Sequence, residues 1–140
     1  MNILLNDHAT ILETDVKIKK KDLYKADKQT RSMLERSIPY IYNLESSSKA
    51  DPIFSRRSNL NQVLANIASK KGSTVIFNHT LLKKAKNPNQ VLGRMQLNYK
   101  ICKKYNVKTL VAAIIKNEKD KVDEIVFKSF ENLLKKKKLY

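Results

Sequence analysis

Residues 60–77 read LNQVLANIASKKGSTVIF. Leu60, Val63, Leu64, Ile67 and Ala68 fall at i, i+3, i+4, i+7 and i+8, one apolar stripe of a helix. Lys70 and Lys71 close the last turn, where the helix dipole favours cations, and Gly72 suits the residue just past the end. Residues 73–77 follow at once as a short apolar strand. A helix that runs straight into a buried strand is one half-turn of a parallel α/β unit.

The same alternation continues downstream. Residues 80–86 form a basic turn or short helix. Asn87 is placed to cap a helix whose first turn takes Pro88. That helix runs to about Asn106, with Val91, Leu92, Met95, Tyr99, Cys102 and Tyr105 on one arc. Residues 108–115 are apolar after a single lysine, as in a parallel strand covered on both faces. Residues 123–135 make a last amphipathic helix, with Asp123 at its start. Upstream, residues 38–44 read as a buried strand, after the break at Ser37-Ile38-Pro39. From there the order is strand, helix, strand, helix, strand, helix, which predicts a parallel sheet with right-handed crossovers. Eight such units close a barrel, and this chain has room for about half. A shortened or open barrel is expected. Residues 21–37 read as a helix capped by Asp22, and residues 2–5 and 10–18 as short strands. Residues 1–134 then form a single α/β domain, followed by a basic tail over 135–140.

The 140 residues suffice for one core without disulfides or structural metal. A formal net charge of +16 calls for a polyanionic partner. The charge is lopsided: residues 1–55 hold 9 Lys/Arg against 8 Asp/Glu, and residues 56–140 hold 20 against 5. From Pro52 to Asn117 there are 13 Lys/Arg and no acid, so phosphates are the natural source of the missing negative charge. The longest apolar run, near 109–115, is too short to span a membrane, and no long basic helix carries a large apolar face for a membrane surface. With one cysteine and no secretory leader pattern, the expected setting is the cytoplasm.

Self-sufficient catalysis is poorly provided for. Gly72 and Gly93 are the only glycines and are too far apart for a phosphate loop. Two histidines, His8 and His79, and an acid-free central region offer little for a metal site. Cys102 falls in an apolar stripe, which is a core position. His79 in a basic stretch suits the surface or an RNA contact. Tyr99 and Tyr105 belong to the apolar arc, which leaves His79, Phe54 and Tyr140 as looser candidates for base stacking.

Four clusters can meet phosphate. Arg56 and Arg57 precede the 60–71 helix, Lys70 and Lys71 end it, and Lys83, Lys84 and Lys86 follow the next strand. Arg94, Lys100, Lys103, Lys104 and Lys108 lie on the following helix and its exit. Guanidinium forks grip phosphate with two prongs, and lysines act as point charges.

Asn43-Leu44-Glu45-Ser46-Ser47-Ser48-Lys49-Ala50-Asp51, then Arg56 and Leu60-Asn61-Gln62-Val63-Leu64-Ala65, resembles the central signature of archaeal ribonuclease P protein component 3. Leu92-Gly93-Arg94-Met95, Asn98 and Cys102-Lys103-Lys104-Tyr105-Asn106-Val107-Lys108-Thr109 resembles its second signature. Phe77-Asn78 and Leu81-Leu82 fall between them, at a strand end and a Leu-Leu turn. The likeness covers about half the chain, from Ile38 to Ala113. It implies a TIM-barrel-like fold, here shortened or open, and a role in removing the 5′ leader from precursor tRNA. It also implies that ribonuclease P RNA is the catalyst and uses magnesium, while the protein binds no cofactor or metal of its own. Component 2 is the implied protein partner, and precursor tRNA is contacted indirectly. Arg56, Lys70 or Lys71, Arg94 and Lys103-Lys104 are the positions the resemblance marks as facing or supporting RNA. Asn59 stands where a glycine is usual, and asparagine tolerates a left-handed backbone there. The competing expectation is a general RNA-binding or ribosome-associated protein with no part in tRNA processing.

Overall fold

A computed structural model describes residues 1–5, 9–11 (as backbone), 18–46 and 59–136. The strands are β1 (Asn2–Leu5), β2 (Ala9–Ile11), β3 (Leu23–Lys25), β4 (Tyr40–Tyr42), β5 (Thr74–Asn78) and β6 (Lys108–Ile115). The helices are α1 (Thr30–Glu35), α2 (Gln62–Lys71), α3 (His79–Lys84), α4 (Pro88–Lys104) and α5 (Glu124–Lys135).

The described strands form one sheet in the order β2-β1-β6-β5-β4-β3. Five of them are parallel, and β2 folds back antiparallel on β1. The sheet curls into a half-barrel that stays open between the β2 and β3 edges. This is the shortened, open TIM-barrel-like α/β fold that the alternation of elements predicts.

Side chains alternate across the sheet with the period of two that a strand imposes. On β5, Val75 and Phe77 join the helix-side core, while Ile76 joins the inner face. The helix-side core fills the space between β4, β5, α2 and α4 with Ile41, Ala65, Ala68, Met95, Tyr99 and Cys102. Phe77 is fully buried and its ring meets Tyr99 at 5.7 Å. Each large apolar side chain buried this way contributes about 1.5–3 kcal/mol. The inner face is lined by Ile3, Leu23, Tyr42, Ile76, Ala112 and Ile114. Because β6 packs on both faces, its sequence is a nearly unbroken apolar run.

The helix ends follow their sequence signals. The Asn61 side chain accepts from Leu64 N at 2.9 Å, and Asn87 accepts from Gln90 N at 3.3 Å. Gly72 ends α2 at φ +75°, a left-handed geometry that lets its N–H reach the last carbonyls of the helix. Asn106 makes the corresponding turn after α4 at φ +58°. Asp123 takes the N-cap position of α5, although its side chain accepts no bond from the helix.

The stretch 21–37 departs from the single helix its periodicity predicts. It divides into a 3-10 turn over Lys20–Asp22, the edge strand β3 and the short helix α1. Asp27 explains the division. Its carboxylate accepts from Gln29 N at 2.7 Å and from the Tyr24 hydroxyl, and its carbonyl accepts from Thr30 Oγ1 at 2.8 Å. These local side-chain bonds compete with helix hydrogen bonds. The β4 edge supplies the ladder that draws Leu23–Lys25 into the sheet. The Asn59 N–H donates to Leu44 O at 2.8 Å. No helix among the described residues is long and apolar enough to cross a membrane.

Candidate nucleic-acid interface

In a parallel α/β sheet every helix returns to the end where strands begin. The C-termini of α2 and α4 therefore lie at the N-terminal ends of the strands they feed. Lys70 and Lys71 close α2, Lys103 and Lys104 close α4, and Lys108 opens β6. Ser69 Oγ donates to Asn106 O at 3.4 Å, which ties the end of α2 to the α4–β6 turn. The lysines are exposed. Lys103 Nζ sits 5.0 Å from the Tyr99 ring centre, and Lys104 Nζ sits 5.6 Å from that of Tyr105. A cation over a ring face is held in place without losing its charge. Lys100 is exposed one turn earlier on α4. The structure thus brings Lys70, Lys71, Lys103, Lys104 and Lys108 to one end of the half-barrel, with Lys100 beside them.

Lys83, Lys84 and Lys86 lie at the opposite end, where the strands finish. Eight residues of β6 separate the two ends by about 26 Å. At this second end a cavity of about 290 Å³ opens at the mouth of the half-barrel. Lys83 and Lys84 line it together with Lys25, from the end of β3, and Lys116, from the end of β6. Lys86, in the turn before α4, is exposed nearby in sequence but is not among the lining residues. The deeper wall is Tyr42, Asn78 and Ile114, all buried. Asn78 holds three strand ends together. Its Oδ1 accepts from Ile114 N at 3.0 Å and from Thr80 N at 3.1 Å, and its Nδ2 donates to Asn43 Oδ1 at 3.0 Å.

Arg94 is placed differently from the exposed fork that its sequence suggests. Its side chain is buried, with 1% exposure, and Nη1 donates to Glu45 O at 3.1 Å. A guanidinium enclosed in this way supports the surface rather than gripping a phosphate on it. The reason lies in Glu45, which is also buried and takes a hydrogen bond from Asn98 Nδ2 through Oε2. Burial pushes the Glu45 carboxyl up to about 7, while Asn98 and the nearby Arg94 charge act to lower it. Asn43-Leu44-Glu45 and Leu92-Gly93-Arg94-Met95 with Asn98, the two segments that carry the family resemblance, therefore meet at one buried carboxylate. Arg56 and Arg57 lie outside the described residues, as do Phe54 and Tyr140.

The remaining candidates settle into packing roles. His79 turns its ring edge toward Phe130 at 5.4 Å and Phe127 at 6.4 Å, beneath α5. Burial and the charge of Lys83 lower its pKa, so it is neutral at pH 7. Cys102 is fully buried, and burial raises its thiol to about 12, which makes it unreactive. Tyr99 is buried, and Tyr105 donates through its hydroxyl to Gln62 Oε1 at 2.9 Å.

Lys25, Lys116 and Tyr42 escape the sequence reading of the site. Lys25 was hidden by the false helix over 21–37. Lys116 carried a usable signal: it directly follows a strand in a parallel fold, the position from which functional side chains project. No protein-family model matches this chain, and no curated protein matches it.

Proposed function

We propose that this chain is an RNA-binding protein that serves as a non-catalytic subunit of ribonuclease P. In this reading it supports the RNA that removes the 5′ leader from precursor tRNA. The observation that carries the reading is the acid-free stretch from Pro52 to Asn117. Its lysines at positions 70, 71, 83, 84, 86, 100, 103, 104, 108 and 116 are exposed. Among the described residues no carboxylate forms an ion pair with any of them. A soluble domain that leaves this many cations unpaired on its surface is built to have phosphates neutralise them.

The ribonuclease P part of the proposal rests on the resemblance. The meeting of its two segments at Glu45, through Arg94 and Asn98, is what their order and spacing would serve. The mechanism is electrostatic. Folded RNA brings phosphates close together, and fixed lysines at two ends of a rigid half-barrel lower the repulsion. Magnesium and the cleavage chemistry belong to the RNA, and component 2 is the protein partner this reading requires.

The test is to recover the tagged protein from its native cell at moderate salt and sequence the RNA that accompanies it. Enrichment of one ribonuclease P RNA, with precursor-tRNA cleavage in the eluate, is the expected result. A broad mixture of RNAs, or ribosomal RNA without cleavage, leaves RNA binding in place and removes the role in tRNA processing.

A further inference from the structure

The cavity at the mouth of the half-barrel differs in kind from the lysine field at the other end. It is concave, and its lining divides into a charged part and an apolar part. Lys25, Lys83, Lys84 and Lys116 are exposed around it, on elements far apart in sequence. Asp120 is the one acid among the described lining residues, and it forms no ion pair with these lysines. Four lysines around one concavity give it a positive field that favours an anion.

Beneath the lysines the wall is apolar. Tyr42 contributes from β4 and Ile114 from β6. Tyr42 is 9% exposed, and its hydroxyl, which bonds to no described residue, is still reached by solvent. Burial raises its pKa, which keeps it a neutral donor. A hydroxyl that solvent reaches in the wall of a concave site can donate to a ligand there. Beside it Asn43 spends Oδ1 on Asn78, leaving its amide N–H₂ for another partner. A volume of about 290 Å³ lies at the small end of ligand pockets and admits one nucleotide, not a duplex. The place is also where parallel barrels carry their ligands.

We propose that this mouth is a single-nucleotide pocket. The lysines take the phosphate monoester, and the Tyr42 and Asn43 wall takes the nucleoside. The shared chemistry is a nucleotide phosphate, supplied either by a free mononucleotide or by the phosphorylated end of an RNA strand. The pocket does not depend on the ribonuclease P reading, since it stands on the geometry of the mouth alone.

The full-length chain is titrated calorimetrically with AMP, GMP, CMP and UMP, and with adenosine and inorganic phosphate at the same ionic strength. At least one nucleotide is expected to bind tenfold or more tighter than both adenosine and phosphate. Lys84→Gln combined with Lys116→Gln should reduce that binding at least tenfold. Lys103→Gln combined with Lys104→Gln removes the same charge from the opposite end and should leave it unchanged. Equal binding of adenosine and AMP overturns the proposal, as does an equal loss in the two double variants, which would mean bulk attraction. If the mouth variant fails to fold by circular dichroism, the comparison of AMP with adenosine and phosphate on the parent chain decides. Competition by a 5′-phosphorylated but not a 5′-hydroxyl trinucleotide identifies a strand end as the source. Its absence, with AMP bound, identifies the free mononucleotide. Weakened binding of long RNA by the Lys103/Lys104 variant, with AMP affinity intact, separates the pocket from the general RNA reading.

Discussion

Glu45 is where single-residue chemistry has the largest consequence. Its folded carboxyl keeps a proton up to about pH 7, whereas an unfolded one releases it near 4.5. Across that window the folded state holds more protons, so stability falls as pH rises and then levels off above 7. The loss is on the order of 3 kcal/mol. Glu45→Gln should remove this fall, read as the difference in urea midpoint between variant and parent at each pH from 4.5 to 8. Comparing the two cancels His79, which acts in the opposite sense because its folded pKa is lowered and its protonation disfavours the fold. Asn78→Ala should cost about 2–4 kcal/mol, because it strips three hydrogen bonds and strands the buried Ile114 N–H. Arg94→Ala belongs with these core substitutions. It should lower stability by about 1–3 kcal/mol in the same urea assay, since it removes a buried side chain and the bond it gives to Glu45 O.

At the scale of elements, α4 carries two functions on two faces. Val91, Met95, Tyr99 and Cys102 face the core, and Lys100, Lys103 and Lys104 face outward. Exposed lysines can therefore be changed without disturbing the fold. Lys103→Gln with Lys104→Gln should shift the unfolding midpoint little. The same pair should reduce the log–log salt slope of RNA binding by about 1.5, near 0.7–0.9 for each lost phosphate contact. Elements such as α4 were legible in sequence because capping residues and an apolar period agreed. Asn61, Gly72, Asn87 and Pro88 each mark a boundary that the backbone obeys. The stretch from Lys20 to Glu35 was illegible for a physical reason. Leu23, Ala26, Thr30 and Leu34 satisfy a helical period, but the free edge of β4 lies too far away in sequence for any local pattern to register.

The whole molecule shows why charge could be read but its arrangement could not. Composition gives the sign of the surface charge, since a count of lysines needs no fold. The division of those lysines into a field at one end and a pocket at the other depends on which strand ends coincide. Lys25 and Lys116 are 91 residues apart and meet only through the strand order. Arg94 shows the converse: a residue type suited to phosphate is buried and donates to a main-chain carbonyl 49 residues away. The fold class was legible because alternation of elements is written along the chain. The open edge was legible too, in the shortage of repeats.

The place of β1 has a consequence for how the chain is made. Asn2 pairs with Ala113 and Ile3 with Ile114, so an early strand finds its parallel partner only after more than a hundred further residues. At a synthesis rate of about 5–20 residues per second, β1 waits on the order of 5–20 s on the ribosome before β6 exists. Ile3, fully buried in the finished sheet, spends that interval as a sticky nascent segment. Parallel pairing across such a span also closes a long loop and folds slowly. Cellular yield should therefore respond to trigger-type holdases that shield new chains, even though the finished domain is highly charged.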